Sequence, residues 1–193
     1  MLMDLGADNA LNLASAGGHE KVVQMLIDAG ADINSQGGSY ENALLAACRG
    51  GYEKVVQVLI DAGVEVNAQV GRSETALSMA SGRGHEKLVQ MLIDSGADIN
   101  IQLQEAAAGG HEKVVQMLLD AGADANAQGG RYWNALQAAS SEGHENVVQM
   151  LLDAGADVNA EAGELGNALY AASRGGHVKV VRMILDAKAG DNA

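Results

Sequence analysis

The chain has 193 residues and a formal net charge of −13, with 25 glycines, one cysteine, and neither proline nor phenylalanine. That charge opposes binding to a nucleic-acid backbone, where affinity depends on lysine and arginine displacing condensed counterions, and it repels anionic membrane leaflets; no apolar run reaches the roughly 18 to 20 residues needed to span a bilayer. With aromatic residues at only 3%, the interior has to be built from small and aliphatic side chains, which suits a stack of small units better than one large core.

The first segment, Met1-Leu2-Met3-Asp4-Leu5, reads as part of a helix remnant over 1–8. Alignment of Met1 to Asp8 with Met25 to Asp32 shows the chain passing from Asp8 directly to Asn9-Ala10-Leu11, nine residues short of the spacing seen elsewhere. A first helix pair is expected near 9–30. Within it, GGHEKVVQMLID from Gly17 to Asp28 returns as GGYEKVVQVLID from Gly50, and then repeatedly. The residue after the double glycine or its counterpart falls at His19, Tyr52, His85, His111, His144 and His177, at spacings of 33, 33, 26, 33 and 33 residues. Repetition at such a period marks a repeat architecture. Further helix pairs are therefore expected near 42–63, 75–96, 103–122, 134–155 and 167–188, within a single domain covering 1–193. The interval of 26 places a gap of seven residues after Gln102. Either two linkers are deleted, at 8–9 and 102–103, or residues that belong there are missing from the sequence.

Each unit has the same grammar. A short alanine-rich segment such as NALQAASS begins at Asn42, Thr75, Asn134 or Asn167, residues whose side chains cap exposed amides at a helix start. A glycine-bearing turn follows, then a second helix in which Val147, Val148, Leu151 and Leu152 form an apolar stripe flanked by Glu145, Asn146, Gln149 and Asp153. The second helices end at Gly30, Gly63, Gly96, Gly122 and Gly155, in the C′ position where glycine turns the chain without a Cβ clash. What comes next, such as ADVNAEAGELG, has no helical period and reads as an extended, hairpin-like finger. At the last unit the pattern drifts, with Val178, Arg182 and Lys188 replacing glutamate, glutamine and the C′ glycine.

The 33-residue period, the glycine-histidine turn, the valine pair and GADVN at Gly155 to Asn159 resemble ankyrin repeats over almost the whole chain. The chain departs from the family at the first helix, where the usual threonine-proline-leucine-histidine is replaced by Asn134-Ala135-Leu136-Gln137 and its counterparts. The resemblance implies a mainly α fold, an ankyrin-repeat solenoid of stacked helix-turn-helix pairs joined by β-hairpin-like fingers. It also implies that finger tips and the first-helix face form a concave contact surface for a protein partner. The near-identity of the units resembles amplified arrays in large fungal receptor-like proteins.

Comparison among the units shows where they differ. Second helices hardly vary, whereas Ser39-Tyr40-Glu41, Arg72-Ser73-Glu74, Arg131-Tyr132-Trp133 and Glu164-Leu165-Gly166 occupy equivalent finger positions. In the first helix one column runs Asn12, Leu45, Ser78, Gln104, Gln137 and Tyr170, and another Ala16, Arg49, Gly82, Ala108, Ser141 and Arg174. The candidate partner-binding residues are thus Ser39, Tyr40, Glu41, Leu45, Arg49, Arg72, Ser73, Glu74, Arg131, Tyr132, Trp133, Gln137, Glu164, Leu165, Tyr170 and Arg174. Arginine, tyrosine and tryptophan are enriched at binding hot spots, so the cluster of Arg131, Tyr132 and Trp133 stands out.

No residue pattern asks for catalysis, a metal or a cofactor. The five histidines sit at one repeated position, and successive units are about 10 Å apart, too far to share one zinc ion; the expected role is a hydrogen bond to the adjoining turn. The DAGAD interval lacks the dense oxygen ligands of a calcium loop, and there is no nucleophile elbow, P-loop or dinucleotide fingerprint. Cys48, among Leu44, Leu45, Ala46 and Ala47, reads as a small buried hydrophobe. One cysteine and no signal-type leader point to a reducing, cytoplasmic setting. The functional expectation is a protein-binding or scaffolding module in a larger intracellular protein, and the rival is a structural array that self-associates through uncapped ends carrying Leu2 and Leu5.

Overall fold

The computed structural model of the chain describes residues 4–36, 42–69, 75–99, 102–129, 132–160 and 166–191. First helices of the units are α1 (Asp4–Ala16), α3 (Ala43–Gly50), α5 (Ala76–Gly82), α7 (Gln102–Ala108), α9 (Ala135–Glu142) and α11 (Ala168–Gly175). Second helices are α2 (Glu20–Asp28), α4 (Glu53–Asp61), α6 (Glu86–Asp94), α8 (Glu112–Asp120), α10 (Glu145–Asp153) and α12 (Val178–Asp191). The expected mainly α repeat fold is what forms.

Local chemistry sets the boundaries. Asn42 Oδ1 accepts the Leu45 amide at 2.8 Å, Asn134 that of Gln137 at 2.7 Å and Asn167 that of Tyr170 at 3.1 Å. Thr75 Oγ1 accepts from the Ser78 amide at 3.1 Å while Ser78 Oγ accepts from the Thr75 amide at 2.9 Å, a reciprocal cap. At the other end, Gly63 stands at φ +82°, its amide bonded to the Ile60 carbonyl and that of Val64 to Leu59, the Schellman arrangement that satisfies the last carbonyls of α4. Where Lys188 replaces the glycine, α12 continues to Asp191, 14 residues against 9 for its counterparts.

The chain divides into two compact units, residues 1–80 with 85–98 and residues 81–84 with 99–193. In the first, α1 packs on α3, and α2, α4 and α6 form a second row. In the second, α7, α9 and α11 form one row and α8, α10 and α12 the other, each first helix also packing on its own second helix. First helices are closely enclosed, with Ala43 to Cys48 all buried in α3. Second helices bury one stripe, Val55, Val56 and Leu59 in α4, at about 1.5–3 kcal/mol for each large aliphatic side chain removed from water.

Two details differ from expectation. The helix remnant expected over 1–8 and the first helix expected from residue 9 are not separate elements, since α1 runs through 8–9 as one 13-residue helix that includes Gly6, the counterpart of Gly30. A C′ glycine stops a helix only when the chain beyond it can turn away, and here helix-forming residues follow at once. The second concerns the fingers. Among the described residues, β pairing is limited to the isolated antiparallel bridge between Gly129 and Trp133.

Asparagines tie neighbouring fingers together. Asn34 Oδ1 accepts the Glu65 amide at 2.8 Å, Asn67 Oδ1 that of Asp98 at 2.8 Å and Asn126 Oδ1 that of Asp157 at 2.7 Å. The amide groups of Asn67 and Asn126 also donate to the Gly96 and Gly155 carbonyls, at 3.0 and 2.9 Å.

Candidate partner-binding face

The finger between α8 and α9 is the best defined. Asp124 Oδ1 accepts the Asn126 amide at 2.9 Å and the Asp124 carbonyl accepts from Ala127 at 3.0 Å, closing the first bend. Beyond the tip, the Gly129 amide donates to the Trp133 carbonyl at 2.9 Å and the Asn134 amide to Tyr132. From α7, the Gln104 side-chain amide donates to the carbonyls of Ala127 and Trp133, at 3.2 and 3.3 Å. Both arms of the finger are therefore fastened to the helix row below.

Trp133 closes this finger with φ +68°, among the described residues the one non-glycine in the left-handed region. Its indole remains 40% exposed, and Tyr132 beside it is half-buried. In the following unit the same place before the cap belongs to Gly166, at φ +74°.

The structure places the other candidates unevenly. Tyr170 on α11 is 55% exposed, Arg174 is exposed and Arg49 half-buried. Leu45 and Gln137 are a correction, since they are 1% and 6% exposed and offer no contact surface. Gln104, of the same column, is likewise buried and bonds to the base of a finger, whereas Tyr170 is exposed on α11, on which no further helix pair packs among the described residues. Ser39, Tyr40, Glu41, Arg72, Ser73, Glu74, Arg131, Glu164 and Leu165 lie outside the described residues. Gln104, not among the candidates, holds the finger in place; a long polar side chain in the column that holds Leu45 in an earlier unit was the available signal.

The histidines also act differently from expectation. Nε2 of His111, His144 and His177 lies 3.0 Å from the carbonyls of Gly82, Ala108 and Ser141. Because a carbonyl only accepts, each Nε2 carries the proton. The bonded turn belongs to the preceding unit and not to the histidine's own. Acidic side chains follow the same repeat, with Gln24, Gln57, Gln90, Gln116 and Gln149 donating to the aspartate four residues on at 2.7–2.8 Å. Lys54, Lys87 and Lys179 pair with Glu20, Glu53 and Glu145 of the unit before, at 3.8, 3.2 and 3.2 Å; these pairs are exposed and worth little individually. Cys48 is buried as read, and burial pushes its thiol pKa up to about 12.

The profile of ankyrin repeats in three copies matches residues 11–102 and again 103–193. The chain belongs to the ankyrin-repeat family. Among solved structures, the human ASB11 ankyrin repeat domain matches this ankyrin chain with a TM-score of 0.78 at 25% identity, covering 92% of this chain and 82% of that one. No curated protein matches it in sequence. Ankyrin repeats are in general protein–protein interaction modules and typically non-catalytic. Among the described residues no helix is long and apolar enough to cross a membrane.

Proposed function

We propose that this ankyrin array is the recognition or scaffolding part of a larger cytoplasmic protein, and that it binds a protein partner through its finger tips and the exposed face of its first helices, without cofactor or catalysis. The observation that carries this reading is Trp133. A left-handed conformation costs a residue with a Cβ about 1–2 kcal/mol, and Gly166 fills the equivalent place without that cost. Strain retained under a large, exposed aromatic side chain supports a role in contact rather than in folding. Gln104 contributes by fixing the finger before a partner arrives, which lowers the ordering cost of binding. The buried thiol of Cys48 fits a reducing compartment, and the charge of −13 disfavours nucleic acid as the ligand.

The test is affinity capture from a cell lysate with the original chain and with Trp133→Gly, after circular dichroism has shown equal folding. Proteins retained by the original and lost by the variant are the expected result. Equal retention by both would remove this finger from the recognition surface.

A further inference from the structure

A row of charge runs along the starts of the second helices, and it is broken inside the array. Two residues after each ring the chain carries Lys21, Lys54, Lys87, Lys113, Asn146 and Lys179. Lys54, Lys87 and Lys179 reach back to the glutamate that opens the preceding second helix, their Nζ 3.8, 3.2 and 3.2 Å from Glu20, Glu53 and Glu145. Asn146 makes the same reach, its Nδ2 donating to Glu112 Oε1 at 2.7 Å, but it brings no charge. The partner of Glu112 is therefore neutral where those of Glu20, Glu53 and Glu145 are cations.

The break coincides with a groove. A cavity of about 260 Å³ opens at this junction, lined by Gly110, Glu112, Gly143 and the start of α10 from His144 to Val147. None of these residues belongs to a finger. The polar side chains of the lining offer mainly acceptors: the carboxylates of Glu112 and Glu145, Oδ1 of Asn146, and Nδ1 of His144, whose ring lies over Gly110 and whose Nε2 holds the proton against the Ala108 carbonyl. The side-chain donor among them, Asn146 Nδ2, is already engaged by Glu112. Backbone amides at the start of α10 would by themselves draw an anion, but two carboxylates in the lining repel one.

We propose that this groove is a second contact site, which receives the side chain of an arginine presented by a basic segment of a partner protein. The chain's own lysines show that a cation belongs at this place, since the equivalent glutamates of three other units each hold an ammonium group. Arginine fits the lining because its planar fork carries five N–H donors for several acceptors at once, where an ammonium group serves one glutamate. An exposed ion pair alone adds little; the enclosure and the further acceptors set this junction apart from the others. The net charge of −13 draws a basic segment towards it. This inference is independent of the finger reading, because it uses no finger residue.

Backbone-amide NMR titration of the full chain with a capped alanine–arginine–alanine peptide tests it, with citrulline in place of arginine as the neutral control and inorganic phosphate as the anion. The arginine peptide is expected to shift the amides of Gly110, Glu112, Gly143 and His144 to Val147 saturably, and less so as salt is added. The citrulline peptide and phosphate leave them in place. Asn146→Lys installs the residue that the other units carry, and with helicity shown to be unchanged it is expected to abolish the shifts, as is Glu112→Gln. Glu53→Gln, at a junction already holding a lysine, and Trp133→Gly, in the finger, leave them intact. The proposal is overturned if the arginine peptide shifts none of these amides, if citrulline or phosphate shifts the same ones, if Asn146→Lys responds as the original does, or if the shifts spread equally over the starts of all the second helices.

Discussion

Cys48 and Trp133 show how differently one residue can relate to its fold. The Cys48 thiol is fully buried in α3 and its pKa is raised from 9.0 to about 12 by desolvation. Since the thiolate is the reactive form, a colorimetric thiol reagent at pH 8 is expected to leave the native protein unlabelled and to react fully once urea unfolds it; rapid labelling of the native state would contradict the burial. The same shift has a consequence for stability. Folding favours the protonated thiol, so its contribution is complete below pH 9 and is lost as pH rises towards 12, while the unfolded chain ionises first. Trp133, in contrast, is held against its own backbone preference. Trp133→Gly is expected to gain roughly 1 kcal/mol in urea unfolding, whereas Trp133→Ala keeps the Cβ and gains none of this. Equal gains from both would show that the strain lies elsewhere.

At the scale of the element, helix limits follow from single residues. Lys188→Gly is expected to end α12 near Asp186, read as loss of helical chemical shifts at 188–191; unchanged shifts would mean that packing and not the missing glycine extends it. These limits were legible in the sequence because a cap acts within three residues and a C′ glycine within two. Gly6 shows where such reading stops, since its effect depends on a finger that does not follow. The first-helix column was misread for a similar reason. Leu45 and Gln137 vary among units as contact residues do, yet both are buried, and burial by segments distant in the sequence leaves no local trace. Gln104 was missed as a fastener because its partners are the backbone carbonyls of Ala127 and Trp133, and any sequence supplies carbonyls. Among the described candidates, Trp133, Tyr170 and Arg174 are varying positions that the structure leaves exposed.

For the whole molecule, stability in an array is a sum over units and their nearest neighbours, so position in the row sets how much each residue contributes. Leu152 on α10 is half-buried, while Leu185, at the same position on α12, is 49% exposed. Leu152→Ala is expected to cost about 2 kcal/mol and Leu185→Ala less. Native-state hydrogen exchange at low protein concentration should likewise be slower in α9 and α10, which have neighbours on both sides in their rows, than in α11 and α12; uniform protection would contradict additive neighbour coupling. The asparagine ties between fingers carry a different implication, for how such a gene can change in length. Asn67 and Asn126 join equivalent positions of adjoining units. Duplication or loss of one whole unit therefore leaves every tie with a partner of the right kind, and no new surface has to evolve. A fractional loss, to leave them intact, has to fall between the ties.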